Sequence, residues 1–360
     1  MEKVQAFKQP WINSASSDTV FILMPPFVAL LLVALFPQQF KESGEMPLLY
    51  WLVLIVFIDV AHVYSTLYRT YFNPLEYKEK QSLLISIPIL CYVAGVIFYN
   101  IDAILFWRIL AYLAVFHFIR QQYGFMRLYS RFENKSRLLS SIDSITVYSS
   151  TIYPLLFWHL NPGRNFHWLI DGDFLQYESR LLSDVGLAFY LIILCMYFVK
   201  EVYLYCNFKK LNLPRNLLIL GTALSWFFGI VYFNGDLAFT TLNVLSHGIP
   251  YMALIWFFEK NKHRKNQQKT SKFLKVSFGK YGIVLFILLL SLFAYFEEGL
   301  WDGLVWKEHS AAFSLFAFLP QIDEKQLLSL LVPLLALPQA THYVLDGFIW
   351  RRQRAERRRL

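Results

Sequence analysis

Charge is scarce in this chain. Asp, Glu, Lys and Arg make up 16% of its 360 residues, where a soluble protein carries roughly a quarter. Hydrophobic residues reach 56%. So few charges cannot cover that much apolar surface, which excludes a water-soluble globule and a disordered chain alike. Cysteine is sparse as well. Cys91, Cys195 and Cys206 are odd in number and fall in or beside apolar runs, so they form neither a disulfide frame nor a CxxC metal site and read as small core residues. No Walker loop, GxGxxG turn before a helix, GxSxG elbow or zinc-finger spacing occurs, which leaves nucleotide-driven pumping and serine hydrolysis without support.

What the chain has in excess is apolar length. Aromatics account for 18% of it, with 34 Phe and 22 Tyr, and the mean hydropathy is +0.40. Ten apolar runs are long enough to cross hydrocarbon about 30 Å thick as helices. They cover 20–37, 48–68, 82–99, 102–120, 138–158, 182–205, 215–234, 237–258, 281–299 and 326–350. The expected fold is therefore all-α: a polytopic transmembrane bundle of about ten spans, forming one integral-membrane domain over 1–360. No internal repeat and no separating linker is visible. The residues from Met1 to Asp18 lack the basic-then-apolar layout of a cleavable signal, so the first run is expected to be a retained span.

Loop charge orients the runs. Lys3 and Lys8 precede the first. Arg69, Lys78 and Lys80 follow the second, and Arg120, Arg127, Arg131, Lys135 and Arg137 follow the fourth. Lys200, Lys209, Lys210 and Arg215 follow the sixth, a stretch from Lys260 to Lys280 the eighth, and Arg351 to Arg359 the tenth. The odd-numbered runs lead into acidic or neutral loops holding Glu42 and Glu45, Asn100 and Asp102, Asp171, Asp173 and Glu178, Asn234 and Asp236, then Glu297, Glu298 and Asp302. This alternation predicts both termini in the cytoplasm, in an inner membrane. It also assigns the net charge of +9 to the membrane rather than to nucleic acid. Trp51, Trp107, Trp158, Trp256, Trp301 and Trp350 punctuate the run ends and read as interfacial anchors. The segment 302–321 reads as an interfacial or re-entrant piece on the outer side.

Four of the eight histidines lie inside expected spans, one each in the second, fourth, eighth and tenth: His62, His117, His247 and His342. All four runs point inward, and each histidine sits within about two to three turns of its inner end. Ionisable groups in hydrocarbon are costly and mark function. Each also has polar company at helical spacing: Asp59 three residues before His62, Gln121 four after His117, Asn243 four before His247, and Asp346 four after His342. Imidazole and carboxylate groups from several helices are the materials of a bundle metal site. Hydrogen-bonded packing and a proton or substrate pathway stand as alternatives. His159, His167, His263 and His309 read as solvated. Arg120, Gln121 and Tyr123 are expected to contact substrate, with Thr66, Tyr68, Arg69 and Tyr71 as a rim. Arg108 is expected to pair with Asp102 or a headgroup. The stretch His247-Gly248-Ile249-Pro250-Tyr251 is expected to break its helix.

Single histidines scattered over separate apolar helices resemble the plan of the integral-membrane carotenoid-cleaving oxygenases of the Brp/Blh type. The likeness is one of architecture and carries over no residues. HxxxH, HxxHH and ExxH pairs are absent, so the clustered-histidine plan of membrane desaturases is not present. The resulting expectation is a metal-dependent, oxidative membrane enzyme acting on a lipid or isoprenoid-like substrate. His62, His117, His247, His342, Asp59 and Asp346 are its metal-site residues, and a cytoplasmic electron donor is a possible partner. Iron suits that ligand set, with zinc, copper and haem as further options. A proton-coupled carrier and an acyl or glycosyl transferase with a histidine base are the competing readings.

A reporter fused after Arg352 should report the cytoplasm and one inserted near Asp171 the opposite side. Both reporters on one side would overturn the alternation.

Overall fold

The computed structural model describes residues 8–41, 46–133, 136–265 and 271–350, and these are all helix, turn and loop with no strand among them. Lys3, Glu42, Glu45, Lys135, part of the Lys260 to Lys280 stretch and Arg351 to Arg359 lie outside the described residues.

A helix or a bent helix pair lies over each of the ten apolar runs. The first pair is α1 (Ala15–Leu23) and α2 (Pro25–Leu35), meeting at 50°. Then come α3 (Leu48–Arg69), α4 (Gln81–Ile101), α5 (Ala103–Tyr129), α6 (Arg137–Leu160), α7 (Arg180–Phe208), α8 (Leu213–Tyr232), α9 (Asp236–Lys265) and α10 (Gly282–Trp306). A second pair, α11 (Lys325–Leu335) and α12 (Leu337–Ile349), meets at 42°. Six helices are long and apolar enough to cross a membrane, and counting each bent pair as one span gives up to eight. The other two, α6 and α9, match their apolar runs but bury polar side chains, among them Asp143, Thr146 and Ser150 in α6 and Thr240, Asn243 and Ser246 in α9. Proline sets both bends. Pro25 and Pro338 stand at the starts of α2 and α12, where a missing N–H costs nothing to the new helix but ends the old one. The exposed faces mark the chain as membrane-embedded. On α7, Phe189, Ile192, Met196, Phe198 and Val199 all point outward, a surface that hydrocarbon covers and water does not.

The described residues divide into two compact units. One draws on Met1–Glu45, Phe118–His167 and Phe174–Pro250. Within it α6 packs on α7 and α8, and α8 on α2. Its most buried feature is a set of charges. Lys200 bridges Asp143 and, at 2.6 Å, Glu201; Arg215 bridges Glu133 at 2.6 and 2.8 Å and also reaches Glu201 and Asp143. Lys200 and Arg215, read above as loop charges after the sixth run, are therefore buried partners of carboxylates. Trp158, Phe166 and Phe239 fill the other end of this unit, with Phe166 stacked on Phe239 at 4.6 Å.

In this same unit α9 is not broken at Pro250. The helix runs through it. A proline leaves the carbonyl four residues back without its N–H, and here that carbonyl, on Ser246, accepts from Gln122 Nε2 at 3.3 Å. A side chain from α5 thus completes the ladder that the proline interrupts.

The other unit draws on Met46–His117, Trp168–Asp173 and Tyr251–Leu360. In it α3 packs against α10 and α12, and α4 against α11 and α12. Val56, Val60, Tyr68, Ile255, Trp256, Phe286 and Leu290 form the main core. Trp107, Trp256 and Trp301 are buried in this unit, as Trp158 is in the first; these four are packing residues rather than interfacial anchors. Arg108 donates to the Gly172 carbonyl at 3.0 Å rather than to Asp102. Gly172 presents that carbonyl from a left-handed φ of 77°, which a side chain would strain. Over 302–321 the helix α10 ends and a loop follows, with Asp302 accepting from the His309 N–H at 2.6 Å. Near the ends of α3 and α9, Arg69 bridges Glu259 at 2.7 Å and Glu76 at 3.5 Å, and Lys80 and Lys262 also bridge Glu76.

Two outcomes follow from these ion groups. Lys200→Met should destabilise the protein by about 3 kcal/mol, because buried Asp143 then loses Lys200 and keeps its 3.5 Å contact with Arg215, and Lys200→Met with Asp143→Leu should cost less; thermal unfolding in detergent measures both. For Glu76, burial alone would raise the carboxyl, but the Arg69 charge and the bonds from Lys262 and Lys80 prevail and hold it at about 2 against an ordinary 4.5. A depressed carboxylate stabilises the fold above its unfolded value and loses that contribution as pH falls through the folded one. The stability gap between wild type and Glu76→Gln should hold steady above 4.5 and shrink between 4.5 and about 2.

Candidate metal centre

Three of the four expected histidines meet. His62 on α3, His117 on α5 and His342 on α12 are buried together, each offering a ring nitrogen within 4.8 Å of the others. The closest pair is His342 Nε2 and His117 Nε2, at 3.1 Å. Two nitrogens bound to one metal at about 2.0–2.1 Å stand roughly 3.3 Å apart in a tetrahedral arrangement, so this separation suits a shared ion. The ring of His62 faces His342 edge-on at 5.0 Å and lies parallel to that of His117 at 6.2 Å.

The local sequence explains how each ring arrives. In α3 the nine residues Leu52–Val60 are wound as π-helix, wider than an α-turn and common at functional sites. This stretch ends one residue before Ala61 and sets the face on which His62 enters the core. His342 stands in the second turn of α12, whose direction is fixed by the Pro338 bend. His117 is reached by the regular α-helix of α5.

A polar side chain stands by the Nδ1 atom of each ring, closest at His342. His342 Nδ1 lies 2.7 Å from Thr66 Oγ1, His117 Nδ1 lies 3.4 Å from Asp346 Oδ2, and His62 Nδ1 lies 3.6 Å from Asp59 Oδ1. Tyr251 ties two of these supports together, donating to Asp346 Oδ1 at 2.8 Å and lying 3.2 Å from Thr66 Oγ1. Trp350 Nε1 donates to the same Asp346 oxygen at 2.8 Å. Asp346 thus supports His117, on another helix, and not its own neighbour His342.

Carboxylates gather nearby without matching cations. Glu297 accepts from Tyr64 and from Gln339 Nε2. Among the described residues, none of Asp59, Glu297, Glu298 and Asp346 forms an ion pair with Lys or Arg. Of the supports, Asp59 and Asp346 were visible as same-helix neighbours. Tyr251 and Glu297 come from other helices and carried no such signal, while Gln339, three residues before His342 on α12, had the spacing but was not singled out.

The remaining candidates sit in the first unit. His247 lies flat on Phe118, ring centres 3.4 Å apart. Its carbonyl accepts from Gln121 Nε2 at 2.9 Å, and Asn243 Nδ2 donates back to the Phe239 carbonyl at 2.8 Å. Arg120 donates to the Tyr148 hydroxyl at 2.5 Å and lies over Tyr123, itself stacked on Tyr148. His159 Nδ1 donates to the Leu155 carbonyl at 2.7 Å and its ring stacks on Phe174, and His309 lies against Trp51 in the other unit, so neither is simply solvated.

No family model, no curated protein and no solved structure matches this chain.

Proposed function

We propose that this chain is a membrane-embedded, metal-dependent enzyme whose metal is held by His62, His117 and His342. The observation that carries the reading is the convergence of three buried imidazoles, with Thr66 Oγ1 2.7 Å from His342 Nδ1 and the Asp346 and Asp59 carboxylates 3.4 and 3.6 Å from His117 Nδ1 and His62 Nδ1. Supported imidazole is the usual form of a ligating histidine, because the support fixes the tautomer and the ring direction. Three histidines leave coordination positions open for a reactant, as catalytic sites do. A metal there would supply Lewis acidity and, as iron or copper, a one-electron couple. Around it the chain's own residues orient the rings, exclude water and supply negative charge from Asp59 and Asp346.

The substrate we assign is a lipid or isoprenoid-like molecule, since α3, α5 and α12 would present the site to hydrocarbon. In this reading all ten runs span an inner membrane, α6 and α9 included, and both termini face the cytoplasm. An oxidative reaction fed by a cytoplasmic electron donor fits an iron centre. A carrier is the second reading, favoured by the bend between α11 and α12 and by the buried Glu297 beside Gln339 at the start of α12.

Elemental analysis and an absorption spectrum of the purified protein test this directly. His62→Ala, His117→Ala and His342→Ala should each lose the metal, and Asp346→Asn should weaken its binding by about 10- to 100-fold. His247→Ala and His159→Ala should retain it. Unchanged metal in all three alanine variants would reject the centre and favour the carrier.

A further inference from the structure

Hydrogen positions around the histidines are fixed by how many hydrogens each group owns. His342 Nε2 and His117 Nε2 face each other at 3.1 Å, and both act as ligands only when neither carries a proton. His342 must then keep its proton on Nδ1, which donates to Thr66 Oγ1 at 2.7 Å. A threonine hydroxyl owns one hydrogen. With its oxygen already accepting from His342, that hydrogen goes to the other side-chain partner among the described residues, Tyr251 Oη at 3.2 Å. Tyr251 can accept because its own hydrogen is committed to Asp346 Oδ1 at 2.8 Å, on a carboxylate that only accepts. The second Asp346 oxygen faces His117 Nδ1 at 3.4 Å and draws that ring's proton to the same side. Trp350 Nε1, donating to Oδ1 at 2.8 Å, pins the carboxylate between them.

Every hydrogen in the chain therefore points from a histidine toward Asp346. Reversing one link reverses the outcome. If Thr66 donated to His342 Nδ1, the ring proton would sit on Nε2 and occupy the ligand position. The Thr66 and Tyr251 oxygens would also face each other at 3.2 Å with no hydrogen between them.

We infer that Tyr251 is a positioning residue that holds His342 in its ligating tautomer through Thr66, and steadies His117 through Asp346. The inference rests on the metal reading above. Its chemistry is a tautomer choice: one N–H bond at Nδ1 against one at Nε2, with no change in charge and no proton released. Without the Tyr251 hydroxyl, the Thr66 hydrogen turns to His342 Nδ1 and drives the ring proton onto Nε2. Removing the Thr66 hydroxyl as well takes away the group that enforces the wrong tautomer. The second substitution should then restore what the first destroys, which a tyrosine that merely fills space does not predict.

The test is titration of zinc(II) alone into the purified full chain in detergent, for wild type, Thr66→Val, Tyr251→Phe and the double variant. Tyr251→Phe should weaken zinc by about 10- to 100-fold, Thr66→Val by less, and the double variant should return to within about tenfold of wild type. Zinc binding by Tyr251→Phe equal to wild type, or a double variant weaker than Tyr251→Phe, would overturn the inference and leave the metal reading standing. A wild type that binds no zinc would overturn both.

Discussion

In hydrocarbon a hydrogen-bonding group has no water to fall back on, and each one left alone costs several kcal/mol. The run of contacts from His342 through Thr66, Tyr251 and Asp346 to His117 is where this constraint bears hardest, because five polar side chains from α3, α5, α9 and α12 meet with their hydrogens in short supply. Each bond decides the direction of the next. The rings of His342 and His117 are therefore held in rotation by their neighbours.

The same constraint shapes the first unit, where it is met differently. Two buried cations share three carboxylates at the ends of α6, α7 and α8, and a glutamine stands in for the amide that Pro250 lacks. Buried ion groups of this kind contribute little net stability over an apolar filling, yet they tolerate the loss of no single member. They tie helix ends into one arrangement. The second unit holds an ion group of its own around Glu76 and Glu259, and gathers a separate set of polar side chains around the histidines.

Much of the fold was legible because hydrophobic run length is a direct image of bilayer thickness: a helix or bent pair lies over each of the ten runs. The histidines were legible for the same reason, as ionisable groups stranded in apolar segments. Their partners were not. Spacing of three or four residues places Asp59 correctly beside His62, but it assigns Asp346 to His342 and Gln121 to His117, and the structure gives Asp346 to His117 and Gln121 to the His247 carbonyl. Helical spacing says which residues share a face and nothing about which other helix that face meets. Lys200 and Arg215 escaped for a related reason. A cation near a run end looks like a loop charge until the carboxylates of neighbouring helices are seen around it.

The π-wound stretch of α3 carries a consequence for how this chain can vary. Its nine residues sit directly upstream of His62, and in a helix every residue added or removed turns all that follows by about 100°. A single-residue insertion or deletion between Leu52 and Val60 would swing His62 away from its partners while leaving the apolar run long enough to cross the bilayer. The phase of this helix, more than its composition, is what sets the direction in which His62 points.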